Sequence, residues 1–312
     1  MANTRAQLSE LFTPIYDEFM LMGFAEEKQI APKVFQVIDD KTKEYKTDGI
    51  SGTGEWEQAN ELAAGGYEDL VLGYPNTIEP LKYWKKIQCS FEASDQDEYA
   101  MLKSKVTTAK QIGIGGRAKV ERLCASVLYN GFSVACPDGQ FFFDTDHPKN
   151  RVETGIVYDN LLTGPLSHDN LELAETQITN NFYDMKGIPI LPAENPTLLY
   201  PPALRGTALR ILSDRAEYRP GQAVAHSEME MNRFAGRYNP VEWRFLSAAE
   251  GGSDSAWYIL YNEMNFLKLV YNRRPSFDNW IDKDIEAYIF KGNMMCTPDV
   301  CDWRAGFAST GL

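Results

Sequence analysis

The sequence predicts an α+β fold, and three observations carry the prediction. One helical face runs unbroken through the middle of the chain, short alternating β runs are punctuated by Gly, Pro and Asn turns, and the order of elements is neither regular βαβ alternation nor all of one type. The helical face is the clearest: Tyr99, Leu102, Val106, Ala109, Gly113, Gly116, Val120, Leu123 and Val127 step by three and four residues. With Asp95, Asp97 and Glu98 at the positive end of the dipole, the helix should run from near Ser94 to near Tyr129. That length spans about 50 Å. Gly113, Gly115 and Gly116 inside it should together cost about 3 kcal/mol relative to alanine, so a kink near Gly115–Gly116 or close backbone packing there is expected.

Before this helix, Thr13-Pro14 caps a short amphipathic helix with Ile15, Phe19 and Met22 on one face, ended by Gly23. The polar stretch from Asp39 to Gly66 is too long for an ordinary loop and reads as an extended arm. Glu68–Gly73 reads as a strand, Tyr74-Pro75-Asn76-Thr77 as a turn, and the alternation of Ile87, Cys89 and Phe91 with Gln88, Ser90 and Glu92 as a return strand, together a long hairpin. A protruding hairpin carrying Tyr83 and Trp84 is marginal in water and needs a surface to lie on, most simply a neighbouring subunit.

After Asn130-Gly131, which reads as a C-cap, Phe132–Ala135 and Gln140–Phe143 flank a Pro137-Asp138-Gly139 turn as a β-hairpin. Ser167 caps a helix burying Leu171, Ala174, Ile178 and Phe182; Thr197–Tyr200 is a short strand, and Pro202 opens another helix. Val241–Leu246 and Ala256–Tyr261 read as strands of a mostly antiparallel sheet, with a further strand over Trp280–Phe290.

At 312 residues, 44% of them hydrophobic, the chain can bury a sizeable core, and a net charge of −13 argues against a surface built to neutralise phosphates. Contact with nucleic acid is therefore expected to be weak and non-specific. The N-terminal residues lack a signal-peptide pattern and the apolar run Phe19–Ala25 falls short of the roughly 20 residues a span requires, so a cytoplasmic start and no membrane are expected. Cys89, Cys124, Cys136, Cys296 and Cys301 form an odd set without a CxxC and read mostly as small apolar fillers.

Four features invite a chemical reading. Gly113-Ile114-Gly115-Gly116-Arg117-Ala118 matches a dinucleotide fingerprint but sits in helical register, where no backbone N–H is free for a pyrophosphate. Asp144-Thr145-Asp146-His147-Pro148 could serve a metal or acid–base chemistry, yet His168 and His226 stand at no ligand-like spacing, and a turn bonding its own backbone is the favoured account. Cys296 and Cys301 with Asp299 and Asp302 lack the second pair of a zinc site. Lys82, Lys85 and Lys86 read as guards of a strand edge. No GxSxG elbow, P-loop or HExxH is present, so neither catalytic residue, cofactor nor metal is assigned.

The order of arm, hairpin, long helix and mixed domain resembles the Hong Kong 97-type capsid fold. Asn130-Gly131-Phe132, Asp138-Gly139 and Phe142-Phe143-Asp144-Thr145-Asp146-His147-Pro148 look like the corresponding stretch of Mu-like major head subunits. So do Asn160-Leu161-Leu162-Thr163, the run from Pro196 to Leu204, Trp257–Leu260, Leu269-Val270-Tyr271 and Asp302-Trp303-Arg304-Ala305-Gly306, so the likeness covers mainly residues 130–310. The resemblance implies an N-terminal helix and arm over residues 1–66, an extended hairpin loop over 67–92, a peripheral domain with a spine helix over 93–150, an axial domain over 151–270 and a C-terminal return over 271–312. It implies a structural shell protein rather than an enzyme, self-assembling as hexamers and pentamers into the icosahedral head of a tailed phage around double-stranded DNA. Assembly in the host bacterial cytoplasm, a place in the virion, and portal, scaffold or decoration proteins as partners are part of the same expectation. An encapsulin-like compartment shell is the alternative on the same fold. Tyr74, Tyr83, Trp84, Lys85, Phe19 and Trp56 are the expected subunit contacts.

Overall fold

The computed structural model describes residues 18–25, 29–56, 58, 66–90, 105–150, 155–190, 195–213, 232–261 and 264–312. In chain order these form helix α1 (18–25), α2 (Ala31–Val34), strands β1 (Gln36–Asp39), β2 (Tyr45–Asp48), β3 (Pro75–Ile78) and β4 (Leu81–Ser90), and the long helix α3 (Lys105–Tyr129). There follow β5 (His147–Pro148), β6 (Val157–Tyr158), β7 (Leu161–Leu162), α4 (His168–Asn181), β8 (Thr197–Tyr200), α5 (Arg205–Ile211), β9 (Asn239–Glu242), β10 (Trp257–Leu260), β11 (Leu267–Asp282), β12 (Ala287–Val300) and β13 (Gly306–Ser309). The class is α+β, as the pattern of elements requires.

One sheet has the order β1-β11-β12-β4. Its centre is the hairpin β11–β12, with Asp282 opposite Ala287 at the turn and Leu267 opposite Val300 at the base. Along β12, Phe290, Gly292, Met294, Cys296 and Val300 are buried while Lys291, Asn293, Met295 and Thr297 are only half-buried, the period of two expected of a sheet with one covered face. Helix α3 lies beside β12: Ala109 and Ile112 close with Phe290 and Met20 into a small apolar cluster. Gly113 lets α1 come this close, since a Cβ there would stand 2.0 Å from the Met20 carbonyl oxygen. The close backbone packing is at Gly113 and not at Gly115–Gly116, where it or a kink was expected, and α3 is one continuous helix from Lys105 to Tyr129. The expected start near Ser94 and the Thr13-Pro14 cap lie outside the described residues.

The second sheet has the order β7-β13-β10-β8-β9. All residues of β8, β10 and β13 are buried, which is why these segments are unbroken apolar runs rather than alternating ones. Helix α4 contributes Leu171, Ala174 and Ile178 to the same core, with Phe182 buried at its end, and the Ser167 hydroxyl accepts from the Asn170 N–H as the expected cap.

Several expectations are corrected. The second sheet is not mostly antiparallel: β10 pairs antiparallel with β8 and β13, but β13–β7 and β8–β9 are parallel. Val241–Leu246 gives a strand only to Glu242 and then a 3₁₀ turn over Arg244–Leu246. Trp280–Phe290 is not one strand but the turn of the β11–β12 hairpin, its partial alternation coming from two strand ends joined by residues 283–286. Around Gly139, which has φ +93°, the expected hairpin is a single Ala135–Phe141 bridge flanked by a Cys136 N–H to Gln140 carbonyl bond. Most consequentially, Leu81–Ser90 does not fold back on residues 68–73. It pairs antiparallel with Ala287–Cys296 as an edge of the first sheet. The hairpin is formed one strand earlier, by β2 and β3, so Pro75-Asn76-Thr77 is strand rather than turn, and part of the polar arm is the other hairpin limb. Tyr45, Thr47 and Ile78 are partly or fully buried, enough to orient a strand that the polar composition hides.

Candidate assembly surface

The hairpin β2–β3 is continued beyond its strands by the Gly49 N–H to Tyr74 carbonyl bond and the Gly52–Val71 bridge. Its base is clamped to the C-terminal segment: the Asp302 carboxylate accepts from the Ile50 N–H at 3.1 Å, and Asn76 donates to Asp299 and to the Val300 carbonyl, both at 3.0 Å. Burial raises the Asp299 pKa, and the Asn76 amide acts against that rise. Asp302 is itself held by Arg304 at 3.0 Å, both side chains sealed from solvent, and Arg304 also donates to the Tyr183 carbonyl. A buried pair of this kind is tolerated because each partner satisfies the other and the backbone around it.

Beyond the clamp the hairpin is apolar where water should be. Trp56 and Tyr67 are fully exposed, and Leu70 and Leu72 more than half so. Glu68 forms an ion pair with Lys186. A second apolar exposure lies on β4, where Trp84 keeps 63% of its surface in solvent and Leu81 55%. Beside them the lysines are partly engaged: the Lys119 ammonium sits 4.9 Å from the centroid of the Tyr83 ring and that of Lys86 5.4 Å from that of Trp280. Between β4 and α3 lies a groove of about 250 Å³ whose lining includes Trp84, Lys85, Gly115 and Phe277.

The six expected contact residues therefore fall into two sets. Trp56, Trp84 and Lys85 are exposed. Phe19 is half-buried against the Met20–Phe290 cluster, Tyr83 half-buried against the main core, and Tyr74 half-buried at the hairpin neck.

The features that invited chemistry are part of the packing. His147 is fully buried; its Nδ1 lies 2.6 Å from an Asp138 carboxylate oxygen, its Nε2 lies 3.2 Å from the Asn160 amide oxygen, and the ring stacks 4.5 Å from Trp303. Asp144 accepts from the Thr145 N–H, the local turn bonding expected of it, whereas the acid beside His147 is Asp138 from the preceding turn. Asn160 ties this knot by donating to the Phe142, Trp303 and Gly306 carbonyls. Cys296 and Cys301 are buried apart from any metal-like cluster, and burial pushes their thiols up to about 12 and about 11. Among the described residues no group of three His, Cys, Asp or Glu side chains could hold a metal, and no helix is long and apolar enough to cross a membrane. Sequence reasoning missed the clamp of Asp302 on Ile50 and the bonds of Asn160 to the Trp303 and Gly306 carbonyls, because nothing in spacing marks partners that lie 143 or more residues away.

The fold is shared with solved shell proteins. The procapsid protein of bacteriophage JBD30 superposes with a TM-score of 0.52 at 17% identity, covering 99% of this chain and 76% of that one. A capsid protein of the native GTA particle gives 0.54 at 11% identity, covering 93% and 89%, and the virus-like particle of Pyrococcus furiosus 0.52 at 12%, covering 96% and 99%. No curated protein matches the sequence. The chain thus shares the fold of these shell proteins. Residues 75–165, from β3 through α3 to β7, match the family model of the Mu-like prophage major head subunit gpT.

Proposed function

We propose that copies of this chain assemble as hexamers and pentamers into an icosahedral phage head enclosing double-stranded DNA, and that the chain performs no catalysis. The observation that carries the reading is the pair of apolar exposures, on the hairpin tip and on β4, in a chain whose own core is already closed. Trp56, Trp84 and Lys85 are the contacts best placed to act between copies, with Tyr74, Tyr83 and Phe19 supporting them from within. Many modest contacts of this kind sum to a stable shell.

The five-part division into arm, hairpin loop, peripheral domain, axial domain and C-terminal return accords with this role. In it the β1-β11-β12-β4 sheet with α3 forms the peripheral body, and the β7-β13-β10-β8-β9 sheet the axial body. A charge of −13 suits an inner wall that leaves packaged DNA unbound, so contact with DNA is weak and non-specific. Portal, scaffold or decoration proteins are the further partners, the shell is built in the host bacterial cytoplasm, and the chain resides in the virion. Electron microscopy of purified protein tests the reading: closed icosahedral particles are expected. A species that stays monomeric across protein and salt concentrations refutes it, and particles that carry a protein cargo and no DNA when isolated from their source cells move it to a compartment shell.

A further inference from the structure

We infer that the groove over Gly115 receives Trp56 from a second copy of this chain, an inference that rests on the shell reading above. The glycines of α3 supply the first argument. Gly113 is required by the approach of α1, and a Cβ built on Gly116 would meet the Phe24 ring at 3.7 Å. Gly115 is exposed, and a Cβ built on it meets nothing within 4 Å. A mid-helix glycine costs about 1 kcal/mol relative to alanine. None of the described residues offsets that cost at Gly115, whereas close approach of an outside group to the helix backbone would.

The groove itself supplies the second. Gly115 forms one wall, opposite Trp84 and Phe277, and the space of about 250 Å³ admits an indole. Lys85 and Lys119 also line it. Around it the charge is mostly basic: β4 carries Lys82, Lys85 and Lys86 without an acid and α3 contributes Lys119, while Arg122 is already paired with Glu250 at 2.7 Å.

The occupant follows by complementarity. Residues 47–81 contain no lysine or arginine, and Glu55 and Asp69 stand beside the fully exposed Trp56 and Tyr67. A basic apolar groove and an acidic aromatic tip on one chain are complementary but not coincident. Within a chain Trp56 lies in solvent, outside its own groove, while the tip is held beside Lys186 by Glu68. The contact is therefore head-to-tail between copies, the kind that closes rings, and it is steered by charge.

The test uses the full chain and two readouts: the thermal midpoint of unassembled protein, and the critical concentration for particle formation by light scattering. Gly115→Ala should raise the midpoint by about 2 °C yet raise the critical concentration, Gly115→Leu should abolish particles, and Trp56→Ala should raise the critical concentration at least about tenfold with the midpoint unmoved. Lys85→Glu should impair assembly and Glu55→Lys in the same chain should restore it. In particles of a Trp56→Cys, Gly115→Cys chain, a short bismaleimide should link position 56 of one copy to position 115 of another. Assembly of Gly115→Leu at the wild-type critical concentration, or position 115 linked to a different segment or a different protein, overturns the contact while the shell reading stands. Wild-type protein that never assembles overturns both.

Discussion

The β7-β13-β10-β8-β9 sheet and the β2–β3 hairpin are opposite solutions within one chain. In the sheet, Trp257, Tyr258, Ile259 and Leu260 of β10 are buried together, covered by β8 and β13 at their edges and by apolar side chains on both faces. In the hairpin, two strands of four residues pair only with each other, and the aromatic side chains beyond them meet water. A two-stranded ribbon is marginal alone, so the hairpin keeps its place through its base, where Asp302, Asp299 and the Val300 carbonyl hold Ile50 and Asn76. The difference teaches that one region has its energetics complete within the chain, while the other leaves apolar surface whose burial has to come from elsewhere.

The sharpest way to break that comparison is to truncate both sides and find them alike. Phe307→Ala, in the fully buried strand β13, should cost about 3–5 kcal/mol and show as a large fall in the denaturant midpoint. Asp302→Ala should come next, about 3 kcal/mol, because it leaves the Arg304 guanidinium buried without its carboxylate; hydrogen exchange at the Ile50 amide should accelerate with it. Ser167→Ala removes one helix cap and should cost about 1 kcal/mol, measurable by the same denaturation series.

A pH series sharpens the contrast at the junction between α3 and the N-terminal segment. Glu121, buried on α3, accepts from the Ile30 and Ala31 N–H groups, and its burial raises its pKa. The native state therefore holds that proton to higher pH than the unfolded chain does. The contribution of this group to stability is greatest on the acid side and declines as pH rises from the ordinary glutamate value, about 4.3, through the raised native one. Glu121→Gln keeps an acceptor without the charge, so the stability difference between wild type and variant should shift in favour of the variant from pH 4 to pH 7. A difference that is flat with pH would show the carboxylate to be uncoupled. The smallest effect is expected at Trp84→Ala, within about 0.5 kcal/mol for the unassembled chain, with its consequence confined to particle yield.

Legibility followed the same divide. The Ser167 cap and the α4 face, the strands Thr197–Tyr200 and Trp257–Leu260, and the continuous α3 face were readable because each is specified by neighbours within a few turns or by an unbroken apolar run. Exposed Trp84 and Trp56 were legible as contact candidates for the same local reason, large aromatics in polar surroundings. The partner of β4 was not, because Leu81–Ser90 alternates equally well against residues 68–73 or 287–296, and only the competing covers decide between them. The clamp of Asp302 on Ile50 joins residues 252 apart and leaves no periodicity in either segment.

By itself the amino-acid order determined the class, the long helix, the capped helix α4 and the buried short strands, since propensity, capping and hydrophobic period act over a few residues. Only the tertiary structure decided which strand closes the first sheet, which limb makes the protruding hairpin, and that His147 and Arg304 serve packing. Those outcomes depend on burial and on charges meeting across the whole chain, and such long-range pairings are invisible until the chain has closed on itself.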